Sequence, residues 1–256
     1  MNYYYVSYAG GGYGKLIATL LMFLVEKIDQ PLKFDIPTTG EPCSCHFEWH
    51  KYEKFLNFNE IFNTRNFVDP WNYVKMSTDS PYKNIYFPYG PPSDFSTIIN
   101  RYPNFKNIAI TVKEEEKIFC VINHCLKAYS PGPFSNEQYS QLLPNFKEEL
   151  KNLTEQQRKD ITSLMSDNPI YYDQWITQYK KLPDNIKSHV TNINFFDIIE
   201  NPTKVLNVLS WAAECPITSV VEDSYYFYIE NQIEFYKKYV PWHPLFIFLP
   251  TALYAV

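Results

Sequence analysis

Residues 3–15 read YYYVSYAGGGYGK, and this stretch decides the fold. Residues 3–8 are almost all aromatic or β-branched, which is typical of a buried strand. Residues 15–28 follow with apolar side chains at helical spacing, which predicts a helix. The turn between them holds four of the seven glycines in the chain: Gly10, Gly11, Gly12 and Gly14. The order strand, glycine turn, helix predicts an α/β domain that begins at an anion-binding turn.

The chemistry of this turn favours a phosphate or a sulfate. Glycine allows the backbone to approach a ligand closely, and successive N–H groups at a helix N-terminus attract anions. Lys15 adds a positive charge where the helix dipole is already positive, which favours a bound anion there. The match to the loop GxxxxGK[ST] is incomplete, since Ala9 replaces its first glycine and Leu16 its Mg²⁺-binding hydroxyl. A nucleotide kinase is therefore the weaker interpretation, and a tight turn without a ligand is the alternative.

Composition limits the classes of function. The chain has 256 residues, 18% aromatic residues and a formal net charge of −5, which favours a packed domain without a basic face for nucleic acid. The odd number of cysteines, five, and the lack of a signal peptide predict reduced thiols in the cytoplasm. The apolar stretch 240–256 contains three prolines and predicts a packed tail rather than a membrane helix.

The rest of the chain alternates strand and helix patterns. Such alternation predicts a mainly parallel sheet flanked by helices in three layers, formed by a single domain over residues 1–256. The polar, helical region 136–181 is expected to be a helical insertion or a lid. Further strands are predicted at 84–87, 107–112 and 190–196, and helices near 52–63 and at 92–100, 114–129, 171–181, 201–213 and 222–239.

Three segments resemble the sulfotransferase-like P-loop family, especially its small divergent members from bacteriophages and marine microbes. The first is YVSYAGGGYGKLIATLLMFL at 5–24, similar to the family's 5′-phosphosulfate loop and helix. The second is NIAITVKEEEKIFCVINHCLKAY at 107–129, similar to the strand and helix that hold the 3′-phosphate. The third is NINFFDIIENPTKVLNVLSWAAECPI at 192–217, similar to a late strand, acidic turn and helix.

The resemblance implies a P-loop-type fold and a sulfotransferase. The donor would be 3′-phosphoadenosine 5′-phosphosulfate, the acceptor an unknown hydroxyl or amine, and no metal would be needed. The glycine turn and Lys15 would hold the 5′ end, with Lys15 also acting in catalysis. Lys113 and Asn123 would hold the 3′-phosphate, Asn123 in place of the serine expected near Val121. The candidate general bases are His46 and His50, with His124 as a third.

Departures from the family pattern leave a second hypothesis open. Leu16 and Val121 stand where hydroxyls are expected, and the three glutamates 114–116 would repel a phosphate near Lys113. The chain would then be a catalytically degenerate P-loop fold that serves as a virion or host-interaction protein, or as a homo-oligomer. Cys43, Cys45 and the two histidines at 46 and 50 are zinc-ligand types, but their spacing lacks a CxxC pair, so no metal is predicted.

Overall fold

Four strands form one parallel sheet. The computed structural model describes residues 2–9, 11–29, 84–88, 94–101, 104–128, 146–166, 178–244 and 246. The strands are β1 (Asn2–Tyr8), β2 (Asn84–Pro88), β3 (Phe105–Thr111) and β4 (Thr191–Asn194). Their order in the sheet is β2-β1-β3-β4, and every neighbouring pair runs parallel. The predicted parallel sheet is confirmed, and the glycine turn follows a strand that is paired on both sides.

Helices follow the strands as the alternating pattern predicted. The first half of the chain contains α1 (Gly14–Val25), α2 (Asp94–Arg101), a 3₁₀ turn (Glu114–Glu116) and α3 (Lys117–Ala128). The second half contains α4 (Phe146–Leu150), α5 (Glu155–Ser166), α6 (Asp184–Lys187), α7 (Asp197–Glu200), α8 (Pro202–Ala213) and α9 (Ser219–Tyr239). Residues 178–181 are also helical. The predicted helix near 52–63 lies outside the described residues.

Both faces of the sheet are covered, which gives three layers. Alternate residues of a strand point to opposite faces. Tyr4, Val6 and Tyr8 belong to the larger core, with side chains of α1, α3, α8 and α9. Tyr5 belongs to a smaller core on the opposite face, with Phe95 of α2 and residues 182–190 around α6. The described part of the region 136–181 packs on the domain, because Leu150, Leu153 and Ile161 lie in the larger core.

The helix predicted at 114–129 is divided by a carboxylate. Glu116 ends the short 3₁₀ turn, and its Oε2 accepts a hydrogen bond of 2.6 Å from the backbone N–H of Lys113. A carboxylate that returns to the residue before the turn satisfies a donor that the helix leaves open. The regular helix α3 therefore begins at Lys117, three residues later than the sequence predicted.

Asn201 caps α8, and its replacement gives a first prediction. Its Oδ1 accepts the backbone N–H of Lys204 at 3.3 Å, and Pro202 occupies the first helical position. We expect Asn201→Ala to lower the free energy of unfolding by about 1 kcal/mol, because the N–H of Lys204 loses its side-chain acceptor and keeps only the Asn201 carbonyl at 3.0 Å. Urea unfolding measures the change. Asn207→Ala, an exposed change within the same helix, is the control and should stay within about 0.5 kcal/mol of the wild type.

Candidate anion-binding turn

The glycine turn links the end of β1 to the start of α1. The N–H of Gly12 donates to the Ala9 carbonyl at 2.9 Å, which closes the turn. Gly11 has a φ of 75°, a conformation that glycine adopts without the strain of a side chain. A Cβ on Gly12 would lie 2.8 Å from the Ala9 oxygen. The glycines at 11 and 12 are therefore explained by the path of the backbone.

Glycine is required at position 14 for a different reason, because α1 packs closely on β1 there. A Cβ at this position would lie 1.9 Å from the Cγ and Cδ1 atoms of the Tyr8 ring. Gly14 and Tyr8 are both buried, so the ring lies directly over the first residue of the helix. A glycine in a strand-to-helix turn can serve this close approach without contacting any ligand.

Several backbone N–H groups of the turn have no acceptor within the part of the chain that the structure describes. The first helical hydrogen bond runs from the N–H of Ile17 to the Tyr13 carbonyl at 3.1 Å, so the amides before it have no partner within the helix. Among the described residues, no atom accepts a hydrogen bond from the N–H groups of Gly11, Tyr13, Gly14 and Leu16. Buried amides in folded proteins are nearly always paired. An anion would supply acceptors to these four N–H groups, which the described residues leave without one.

The turn is covered by other parts of the chain. Gly11, Gly12, Tyr13 and Gly14 are all buried. The Tyr8 ring covers Gly14, and side chains from α3 and α9 contact the other residues of the turn. A glycine-rich sequence shows that the turn itself carries few side chains. It does not show which distant parts of the chain pack over the turn. Gly10 and the side chain of Lys15 lie outside the described residues.

Asn123 uses its side chain in hydrogen bonds within the protein. It is fully buried, and its Nδ2 donates to the Gly11 carbonyl at 3.1 Å. Its Oδ1 accepts from Tyr236 Oη at 2.8 Å and from Gln232 Nε2 at 3.2 Å. These contacts use both ends of the amide inside the protein, whereas the binding of the 3′-phosphate by Asn123 stays a prediction. Asn123 joins the turn to α9.

Tyr13 lies at the centre of the same contacts. Its φ of 61° is left-handed, which is uncommon for a residue with a side chain. Its ring stacks on Phe195 with centroids 5.0 Å apart, and its hydroxyl lies 2.8 Å from the Tyr236 hydroxyl. Burial raises the pKa of Tyr13 well above its usual value, and the neighbouring Tyr236 adds to this effect. The phenol is therefore neutral and serves as a hydrogen-bonding group.

Lys113 lies at the same edge of the sheet as the turn. Tyr8 pairs with Ile110 in adjacent parallel strands, so the segments that follow β1 and β3 leave the sheet side by side. Lys113 is exposed, but two carboxyl groups, Glu116 and Glu200, are close enough for its charge to lower their pKa values. For both groups burial is the stronger effect, and each pKa is raised.

The segment after β4 is fixed by an internal ion pair. Asp197 accepts the backbone N–H of Asn194 at 3.0 Å and pairs with Lys204 Nζ at 2.5 Å. Nearby, Thr111 Oγ1 donates to Asn192 Oδ1 at 2.8 Å. These contacts give the third family-like segment a structural role at the edge that carries the turn. The contacts join β3, β4 and α8.

No contact among the described residues joins the remaining predicted site residues to the turn. His46, His50, Cys43 and Cys45 lie outside the described residues, as does the side chain of His124. Within the described ranges, no group of three or more His, Cys, Asp or Glu residues could hold a metal ion. A groove of about 490 Å³ lies elsewhere, beside Lys204, Asn207 and the half-exposed Trp211. It includes none of the predicted site residues.

Sequence reasoning missed Tyr13, Gln232 and Tyr236 as residues that shape the turn. Tyr13 offered a signal, since it is the one bulky residue inside the glycine cluster. Comparisons with protein-family models, with curated proteins and with solved structures find no match to this chain. Among the helices of the described residues, none is long and apolar enough to cross a membrane.

Proposed function

We propose that this chain binds an anionic nucleotide at the glycine turn and is a sulfotransferase-like protein of the P-loop type. The observation that carries the proposal is the cluster of buried amide donors at Gly11, Tyr13, Gly14 and Leu16, unpaired within the described chain. A phosphate or sulfate supplies several strong acceptors and negative charge, which suits the N-terminus of α1. The predicted donor, 3′-phosphoadenosine 5′-phosphosulfate, carries such groups at both ends.

The position of Lys113 supports a nucleotide with two anionic ends. Lys113 leaves the sheet beside the turn, because β1 and β3 are adjacent and parallel. In the proposed reaction the sulfonate passes from the 5′-phosphosulfate to an acceptor hydroxyl or amine, and a base takes the acceptor's proton. The leaving nucleotide, 3′-phosphoadenosine 5′-phosphate, gains negative charge, which the amides of the turn and Lys15 would stabilise. His46 and His50 stay the candidate bases.

A second candidate function is favoured by a specific observation. Leu16 and Val121, which replace the expected hydroxyls, are buried in the apolar core, and the turn itself is covered. A fold that keeps the turn for packing alone would show the same features. The chain would then be a binding or structural protein, such as a virion or host-interaction component, without a nucleotide.

Calorimetry with 3′-phosphoadenosine 5′-phosphate separates the two functions and gives a second prediction. We expect micromolar binding by the wild type and about 30-fold weaker binding by Lys15→Ala, because a charged hydrogen-bond donor is lost. Lys159→Ala, which removes one positive charge from the exposed surface of α5, is the matched control and should bind as the wild type does. No binding by the wild type at millimolar nucleotide would reject the sulfotransferase proposal in favour of the structural one.

A further inference from the structure

We infer that Tyr236 and Asn123 are positioning residues that hold the glycine turn in its anion-binding shape, an inference that rests on the proposed function. The evidence is a chain of buried hydrogen bonds that begins and ends in the turn. It runs from the Tyr13 hydroxyl to Tyr236, from Tyr236 to Asn123, and from Asn123 to the Gly11 carbonyl. The two ends of this chain lie on either side of Gly12.

The hydrogen bonds in this series can have only one set of directions. Asn123 donates through Nδ2 to Gly11, so its Oδ1 is the group that accepts from Tyr236. Tyr236 has a single hydroxyl hydrogen, which that bond uses, so Tyr236 must accept from Tyr13. Gln232 Nε2 donates to the same Oδ1 and keeps the Asn123 amide from turning over. Each group is thus fixed by its neighbour.

The chain of hydrogen bonds stabilises an unfavourable backbone conformation. Tyr13 has a φ of 61°, which a residue with a side chain rarely adopts unless its surroundings hold it there. The stacked Phe195 ring and the bond to Tyr236 hold the Tyr13 side chain. Rotation of Tyr13 to an ordinary φ would turn its peptide groups. That rotation would redirect the N–H groups of Tyr13 and Gly14, which have no acceptor among the described residues.

The contacts also determine which groups of the turn remain for a ligand. They use the carbonyl of Gly11 and the phenol of Tyr13, and the Ala9 carbonyl is taken by Gly12. The carbonyls of Ala9 and Gly11 are therefore engaged inside the protein, whereas four N–H groups of the turn have no acceptor among the described residues. A site whose donors are fixed before binding loses less entropy when the ligand arrives.

Tyr236→Phe and Tyr225→Phe form a matched pair that tests this inference. Both tyrosines are fully buried on α9, and each donates one hydrogen bond, Tyr236 to Asn123 and Tyr225 to the Ile198 carbonyl at 2.6 Å. Both variants should lower the melting temperature, Tyr236→Phe by more, because it also removes the acceptor of the Tyr13 hydroxyl. Only Tyr236→Phe should weaken the binding of sulfate and of 3′-phosphoadenosine 5′-phosphate, by about 10-fold. Tyr225→Phe should stay within about 2-fold of the wild type.

The outcomes distinguish a failure of the positioning role from a failure of the proposed function. If the wild type binds and the two variants lose affinity equally, the positioning role is rejected while the proposed function stands. If the wild type binds neither sulfate nor the nucleotide, both are rejected. Tyr13→Phe breaks the same chain from the side of the turn and serves if Tyr236→Phe does not fold. A wild-type affinity in that variant would also overturn the inference.

Discussion

Lowering the pH from 7 to 4 is expected to reduce the free energy of unfolding by about 3 kcal/mol through His243 alone. His243 is fully buried, and its ring centroid lies 4.0 Å from that of Phe119 and 4.4 Å from that of Tyr236. Burial among these rings lowers the pKa of His243 from 6.5 to about 3. No charged side chain is among these ring contacts, and burial raises the pKa of Tyr236, so that phenol is neutral.

The sign of the effect follows from where the proton binds. Below pH 6.5 the unfolded chain takes up a proton on His243, whereas the folded chain does so only near pH 3. The stabilisation is therefore complete above pH 6.5 and is lost as the pH falls towards 3. Glu116 and Glu200 have raised pKa values and act in the opposite direction, so a variant is needed to isolate the histidine.

His243→Phe isolates the contribution of this histidine, because phenylalanine keeps an aromatic ring in the core and cannot be protonated. Urea unfolding at pH 7 and at pH 4 should show a loss about 3 kcal/mol smaller in His243→Phe than in the wild type. His189→Gln, which replaces an exposed histidine, is the control variant. The same loss of stability in His243→Phe and in the wild type would show that the pKa of this histidine is not depressed.

Gly14→Ala is expected to lower the free energy of unfolding by about 3 kcal/mol, at the upper end for an overpacked core position. The new methyl group would lie 1.9 Å from two atoms of the Tyr8 ring, far inside van der Waals contact. The ring is buried at the end of β1, so it cannot move aside into solvent. Either the ring must change its rotamer or α1 must move away from the sheet.

A double-mutant cycle tests whether the Tyr8 ring causes this loss of stability. In a Tyr8→Ala background the obstructing ring is absent, and Gly14→Ala should then cost less than about 0.5 kcal/mol or become stabilising, since alanine favours a helix more than glycine does. Denaturant unfolding of the four proteins measures both steps. If Gly14→Ala costs the same with and without Tyr8, the penalty comes from the backbone conformation and the close packing described here is wrong.

The sheet and the start of α1 could be predicted from the sequence because their signals are local. β1 is a run of aromatic and β-branched residues, and α1 is an apolar helix that follows directly. Four predicted strands are present within a residue or two of their expected bounds. The prediction for α3 missed its start, because the Glu116 carboxylate turns back to Lys113 in a way that helical periodicity does not show.

The surroundings of the turn could not be predicted, because they depend on contacts between distant parts of the chain. Asn123 and Gly11 are 112 residues apart, and Tyr13 and Tyr236 are 223 residues apart. No spacing rule connects such positions. In the sequence the glycines form one cluster, whereas in the structure the backbone conformation requires Gly11 and close packing requires Gly14.

The most direct test of the anion-binding turn is a titration of the ¹⁵N-labelled protein with 3′-phosphoadenosine 5′-phosphate, followed by amide NMR. The amide signals of Gly11, Tyr13, Gly14 and Leu16 should shift most, because their N–H groups gain acceptors. The Gly12 signal should shift less, since its N–H already donates to Ala9. Saturable shifts confined to the groove beside Trp211, or no shifts at millimolar nucleotide, would contradict the account.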